Sequence, residues 1–206
     1  MRKIHTDLKE KFLRAVAETK EFLMSPDKIS AKDTKLIIKR YVAAIEGNFV
    51  AWMAGASISA RSVVSKFAAD ENLWVELKDD HPGMLRNFAK CANAEPDGKD
   101  FEAVEKEVAR IRNLVGELSG IKNVALMAVL ENTSAAFIPY LAELAKKLGS
   151  EDLTYTDIHG EADIEHANQF LEALSDEKTL GYPNAEKDIE ETIGLAIELI
   201  RKIFTV

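Results

Sequence analysis

A single cysteine, Cys91, stands among 206 residues, which excludes an intrachain disulfide and any thiolate cage for a metal. That suits a reducing compartment, so a cytoplasmic location is expected. Positive charge is also in short supply. The 27 Lys and Arg against 35 Asp and Glu leave a formal charge of −8, which argues against nucleic acid and against an anionic membrane as partners. No uninterrupted apolar run reaches the roughly 18 residues of a membrane span. The N-terminal stretch MRKIHTDLKEKFLRAV carries charge through its apolar pattern and reads as neither signal peptide nor anchor. Strand patterning is almost absent, and internal repeats, low-complexity segments and linkers are missing. Histidine is rare, with four in the chain, so where each one falls is informative.

What is present is helical periodicity, interrupted at Gly and Pro. The pattern predicts helices over residues 4–24, 31–56, 59–77, 83–92, 100–117, 120–148, 150–176 and 184–205. Ser30 with Asp33 three residues on resembles a capping box, and Asp100 and Asn184 stand where helix caps are needed. Pro82 suits a first helical position, and Gly149 suits a helix end. The expected architecture is all-α: a compact bundle of about seven to eight helices forming one metal-binding domain over residues 1–206.

The segment TYTDIHGEADIEHANQFLEAL places His159, Asp163 and His166 at i, i+4 and i+7. On a helix these span an arc of roughly 60°. Phe170 and Leu174 continue the stripe, so it should face inward. Two imidazoles and a carboxylate on one buried face suit a thiolate-free transition-metal site. Two further carboxylates fall within apolar stripes. Glu131 has Val124, Ala128, Ala135 and Ile138 at helical spacing, and Glu46 has Val42, Phe49 and Met53. An unpaired buried carboxylate costs several kcal/mol, so each needs a proton, a cation or a metal. Pro139 should kink the Glu131 helix and free the carbonyl of Ala135. A third locus joins Glu76 to His81 across the Lys78–Pro82 turn, with Glu71 as rival to Glu76. Three His, one Asp and two or three Glu are too many for one ordinary zinc ion; they suit two iron or manganese ions bridged by carboxylate.

Plainer readings exist for each feature. The His-Asp-His face could be a hydrogen-bonded core cluster, and Glu131 or Glu46 could pair with Lys39, Arg40 or Arg110. His5 lies in a charged helix and has no expected role. Cys91 is read as a small buried hydrophobe. Tyr41, Tyr140, Tyr155, Trp52 and Trp74 fit core packing, though a tyrosine near iron could be redox-active. The Asn132-Thr-Ser sequon is accidental in a cytoplasmic chain.

Three blocks in order carry a family resemblance: Asn72-Leu-Trp-Val-Glu76 followed by His81-Pro82; the helix ALMAVLENTSAAFIPYLAELAKKLG around Glu131; and His159-x3-Asp163-x2-His166. Over residues 30–176 the chain resembles the heme-oxygenase-like diiron oxidases, which share a fold with the thiaminase-II-like and pyrroloquinoline-quinone-synthase-like proteins. The resemblance implies iron ligands Glu76, His81, Glu131, His159, Asp163 and His166. It adds Glu46 as the match to a further carboxylate that some members use. It also implies two ferrous ions, with manganese as an alternative in one site, and an O2-activating oxidase or oxygenase of a small metabolite that is amino-acid-like, fatty-acid-like or aromatic. An external electron donor and a homodimer are compatible with it. Members that sacrifice their own side chains carry a Lys a few turns beyond the central Glu; Leu141 and its neighbours here are not Lys. Phe49, Trp52 and Phe137 are expected in the apolar pocket wall. The alternatives are a metal-free thiaminase-like or cofactor-binding protein, for which Cys91 would have to face the cavity, and a non-catalytic iron-binding bundle.

Overall fold

A computed structural model describes the backbone from residue 2 to residue 206, and all side chains except those of residues 1–6 and 161–164. Nine α-helices follow one another among the described residues: α1 (Arg2–Phe22), α2 (Ala31–Ile45), α3 (Asn48–Ser59), α4 (Val63–Lys78), α5 (His81–Cys91), α6 (Gly98–Gly116), α7 (Gly120–Lys147), α8 (Thr154–Lys178) and α9 (Ala185–Phe204). Several starts are set by side-chain caps. Ser30 Oγ accepts from the Asp33 amide, Ser62 from that of Ser65, and Asp97 and Asp100 form a reciprocal capping box at α6. Asp97, not Asp100, is therefore the cap. Asn184 occupies the α9 cap position without a side-chain hydrogen bond.

Helix α7 is the axis of the bundle. It packs most extensively against α8 and also touches α9, α1, α3 and α2. Residues 123–131 are buried without interruption, because neighbours surround the helix on all sides. By length and composition alone it could cross a membrane, but 78% of its most apolar window is buried inside the protein. One apolar cluster runs through the molecule, with Trp52, Phe12, Phe88, Phe170 and Phe204 fully enclosed. Each such aromatic contributes about 2–3 kcal/mol by leaving water.

The helix expected over 31–56 is in fact two. Gly47 takes φ +70°, a left-handed conformation that glycine adopts without steric cost, and the chain turns there between α2 and α3. Glu46 caps the C-terminus of α2, so the helical spacing from Glu46 to Phe49 and Met53 does not exist. Two further expectations are corrected by packing. Trp74 is 65% exposed on the outer face of α4 and is no core residue. Cys91, at the end of α5, is half-buried instead of enclosed. Pro139 sits within a continuous α7, and both Pro139 and Ala135 lie on its exposed face, where water can reach the backbone. Asn132, Thr133 and Ser134 hydrogen-bond to carbonyls of their own helix, and Thr133 and Ser134 are buried. The sequon is thus part of the core of the helix.

Candidate metal centre

Three elements deliver the first group of donors. Glu76 lies in the last turn of α4, on the face turned inward. A two-residue turn follows, in which Asp80 adopts φ +50° and its side chain caps α5 through the Gly83 amide. This sharp reversal brings His81, the first residue of α5, back against Glu76, and His81 Nδ1 lies 2.8 Å from Glu76 Oε1. His159 enters from the second turn of α8, with Nε2 3.8 Å from the same carboxylate oxygen. The His81 and His159 rings meet edge to face, 4.6 Å between centroids. One donor atom from each of Glu76, His81 and His159 falls within 4.8 Å of the others. Glu76 and His81 are buried, whereas Glu71, the rival of Glu76, points outward on the same helix and is exposed.

The second group lies alongside. Glu131 is 5% exposed at the middle of α7, and its Oε2 lies 3.8 Å from His166 Nδ1 on α8. Glu76, His81, Glu131 and His159 all line one cavity. Glu131 thus shares the cavity lining with Glu76, His81 and His159, and His166 stands beside Glu131. The side chain of Asp163, one turn from His159, lies outside the described residues, as does that of His5. Phe170 and Leu174 are fully buried, as the inward stripe requires.

Electrostatics favour a ligand-ready protonation state. Burial on its own would raise the Glu76 carboxyl, but the imidazoles of His159 and His81 outweigh it and hold the group down to about 2. Burial, as the main cause, pushes His166 below its ordinary value, so the ring is kept neutral. His159 Nδ1 is 2.8 Å from the carbonyl oxygen of Tyr155. A carbonyl only accepts, so Nδ1 carries a proton; Nε2 then donates to Glu76 while the ring is charged and offers its lone pair to a cation once the ring is neutral.

Glu46 also lines this cavity, but its carboxylate is hydrogen-bonded to Arg86 at 2.6 Å. The cations expected to compete for a buried carboxylate are engaged elsewhere: Lys39 with Asp97 and Asp100, Arg40 with carbonyls near the C-terminus, and Arg110 with Glu198. Of the expected wall residues, Phe49 and Phe137 line the cavity; Trp52 is buried in the core and is not in the wall. Sequence reasoning missed a buried tyrosine pair. The hydroxyls of Tyr41 and Tyr155 are 2.7 Å apart, both residues line the cavity, and the Tyr155 ring stacks 4.3 Å from His159. The inward spacing of Tyr155 and His159 on one helix was the available signal; Tyr41 gave none.

Residues 36–200 match the family of iron-containing redox enzymes. The chain belongs to this family. The fold is also similar to that of a TenA homolog from Pseudomonas syringae pv. tomato str. DC3000, with a TM-score of 0.64 over 96% of this chain and 91% of that one, at 12% identity. At that identity the likeness establishes the heme-oxygenase-like, TenA-like helical fold alone. No curated protein is significantly similar in sequence. For an iron-containing redox enzyme the donor chemistry at this centre fits. Imidazoles and carboxylates converge in a buried pocket, no thiolate takes part, and the carboxylate nearest the imidazoles is held ionised.

Proposed function

We propose that this protein is a non-heme, O2-activating oxidase or oxygenase that holds two ferrous ions and oxidises a small organic metabolite. The observation that carries the reading is the convergence of Glu76, His81, His159 and Glu131 on one cavity, with His166 beside Glu131. Glu76, His81 and His159 would hold one ion, and Glu131 and His166 the other, with Asp163 added as the family resemblance implies. Manganese is an alternative occupant of one site. When bound, iron supplies electrons and open coordination positions for O2.

The chain's own residues do the rest. Tyr155 fixes the His159 tautomer through its carbonyl, so the ring offers Nε2 without rearrangement. Glu76 accepts a hydrogen bond at His81 Nδ1, which leaves the His81 Nε2 lone pair for a cation. Phe49, Leu85, Leu130 and Phe137 line the cavity with apolar surface, which an organic substrate would contact. Reducing equivalents beyond those of the ferrous pair come from an external donor. A metal-free, cysteine-dependent reading finds less support, because Cys91 is not among the residues that line the cavity.

Anaerobic titration with ferrous iron tests the proposal. Two equivalents should bind per chain, and O2 should be consumed when it is admitted. His159→Ala and Glu131→Ala should each lose at least one equivalent while retaining helicity. Unchanged stoichiometry in both variants, or no iron bound by the wild type, would sink the assignment. Activity that survives a chelator would favour the metal-free alternative.

A further inference from the structure

Helix α4 shows an unusual surface on the side opposite Glu76. Val63, Val64, Phe67, Trp74 and Leu77 are 85%, 44%, 66%, 65% and 56% exposed. Val63, Phe67, Trp74 and Leu77 fall within one narrow arc of the helix, with Val64 at its flank. Ile58, 72% exposed at the end of α3, extends the patch, since its neighbour Ser57 is hydrogen-bonded to Asp70 of α4. Together these six residues expose roughly 700 Å², more than the roughly 300–600 Å² of the largest apolar patch on a typical monomer. That approaches the roughly 800 Å² per partner of a stable protein interface.

We infer that this stripe is a self-association surface, on which two copies of the chain pack α4 against α4, antiparallel about a two-fold axis. The spacing is self-complementary. Phe67 and Trp74 lie equally far from the midpoint between Asp70 and Glu71, and so do Val64 and Leu77. An antiparallel pairing therefore sets Phe67 of each copy level with Trp74 of the other, and Val64 level with Leu77, as an isologous interface requires. Polar groups in the seam are already satisfied within each chain. Asp70 accepts from Ser57 Oγ and is paired with Lys66 at 3.1 Å, so covering it strands no charge. The rim carries both signs, Lys66 and Lys78 beside Glu71 and Asp79, unlike the basic rim that an anionic membrane selects. Among the described residues Glu71 forms no ion pair; beside the axis it faces Asp70 of the second copy, and it restrains the association.

Sedimentation velocity across a concentration series tests this. The full-length protein should run as a dimer at micromolar concentration. Phe67→Glu and Trp74→Glu should each weaken the dimer at least about 30-fold, with helicity and iron stoichiometry unchanged. Glu71→Lys should tighten it by about 3- to 10-fold, because in the antiparallel register position 71 faces Asp70 of the second copy. A wild-type monomer at about 100 µM overturns the inference. So does a dimer that survives both glutamate variants, or a monomer whose stripe binds neutral phospholipid vesicles.

Discussion

Helices α4 and α9 invert each other. Helix α9 buries Ile189, Ile197, Leu199, Ile200, Ile203 and Phe204 and turns Lys187, Glu190, Glu191 and Glu198 to water. Helix α4 buries Ser65, Ala68, Ala69, Asn72 and Glu76 and turns Phe67, Trp74 and Leu77 outward. An ordinary amphipathic helix such as α9 is held in place by the apolar area it buries. Helix α4 cannot be held that way. It is held by small residues that allow close approach to α8 and by specific polar bonds: Ser65 Oγ to the Ala173 carbonyl, Asn72 to Gln169, and the buried Glu177 carboxylate accepting the amides of Arg61 and Ser62. The contrast separates scaffold from machinery. Where polarity follows the solvent, the residues serve the fold; where it is reversed, both faces are committed to something else.

The largest effect expected from breaking this contrast is on the inner face of α4. Glu76→Ala should abolish tight binding of at least one ferrous ion, measured by anaerobic titration, with the far-ultraviolet circular dichroism unchanged. Loss of fold instead would make Glu76 a structural residue. On α9 the pattern should reverse. Phe204 packs against Tyr41, Phe137 and Tyr140, so Phe204→Ala should cost about 3–5 kcal/mol in urea unfolding while the folded fraction still binds iron with wild-type stoichiometry. Asn72→Ala, which cuts the tie between α4 and α8 one turn before Glu76, should weaken iron binding by about tenfold and stability by about 1 kcal/mol. Equal iron affinity in that variant would show that the tie does not position the ligand. Smallest is Gly47→Ala. Space is open there, but φ is +70°, so a loss of about 1 kcal/mol in unfolding free energy is expected from backbone strain alone.

Much of the fold is legible because helix periodicity and breakers are local signals. Glu131 and the His159–His166 stripe could be read for the same reason: each breaks or continues an apolar pattern on its own helix. What could not be read depends on choices made across the fold. Gly47 in sequence is a tolerated interruption; only packing decides that it turns the chain, and with that decision the register assigned to Glu46 is lost. The partner of Glu46 is Arg86, forty residues away, whereas Lys39, Arg40 and Arg110 find other acceptors. Glu71 and Glu76 are five residues apart on one helix, and their roles separate only once α8 shows which face it covers. Trp74 was misplaced by the rule that large aromatics lie inside, a rule that fails on a helix whose polarity is reversed. The Tyr41–Tyr155 pair joins α2 to α8 across 114 positions, beyond any local pattern.

The carbonyl of Tyr155 has two obligations. Helical geometry commits it to the amide of His159, and the same oxygen accepts a hydrogen bond from the imidazole Nδ1–H of that residue. Backbone and ring therefore share one acceptor, and neither can let go unnoticed by the other. If this single turn of α8 loosens, the imidazole is released to rotate and to exchange tautomers. Local melting and loss of coordinating competence become one event, and amide exchange at position 159 would report on both.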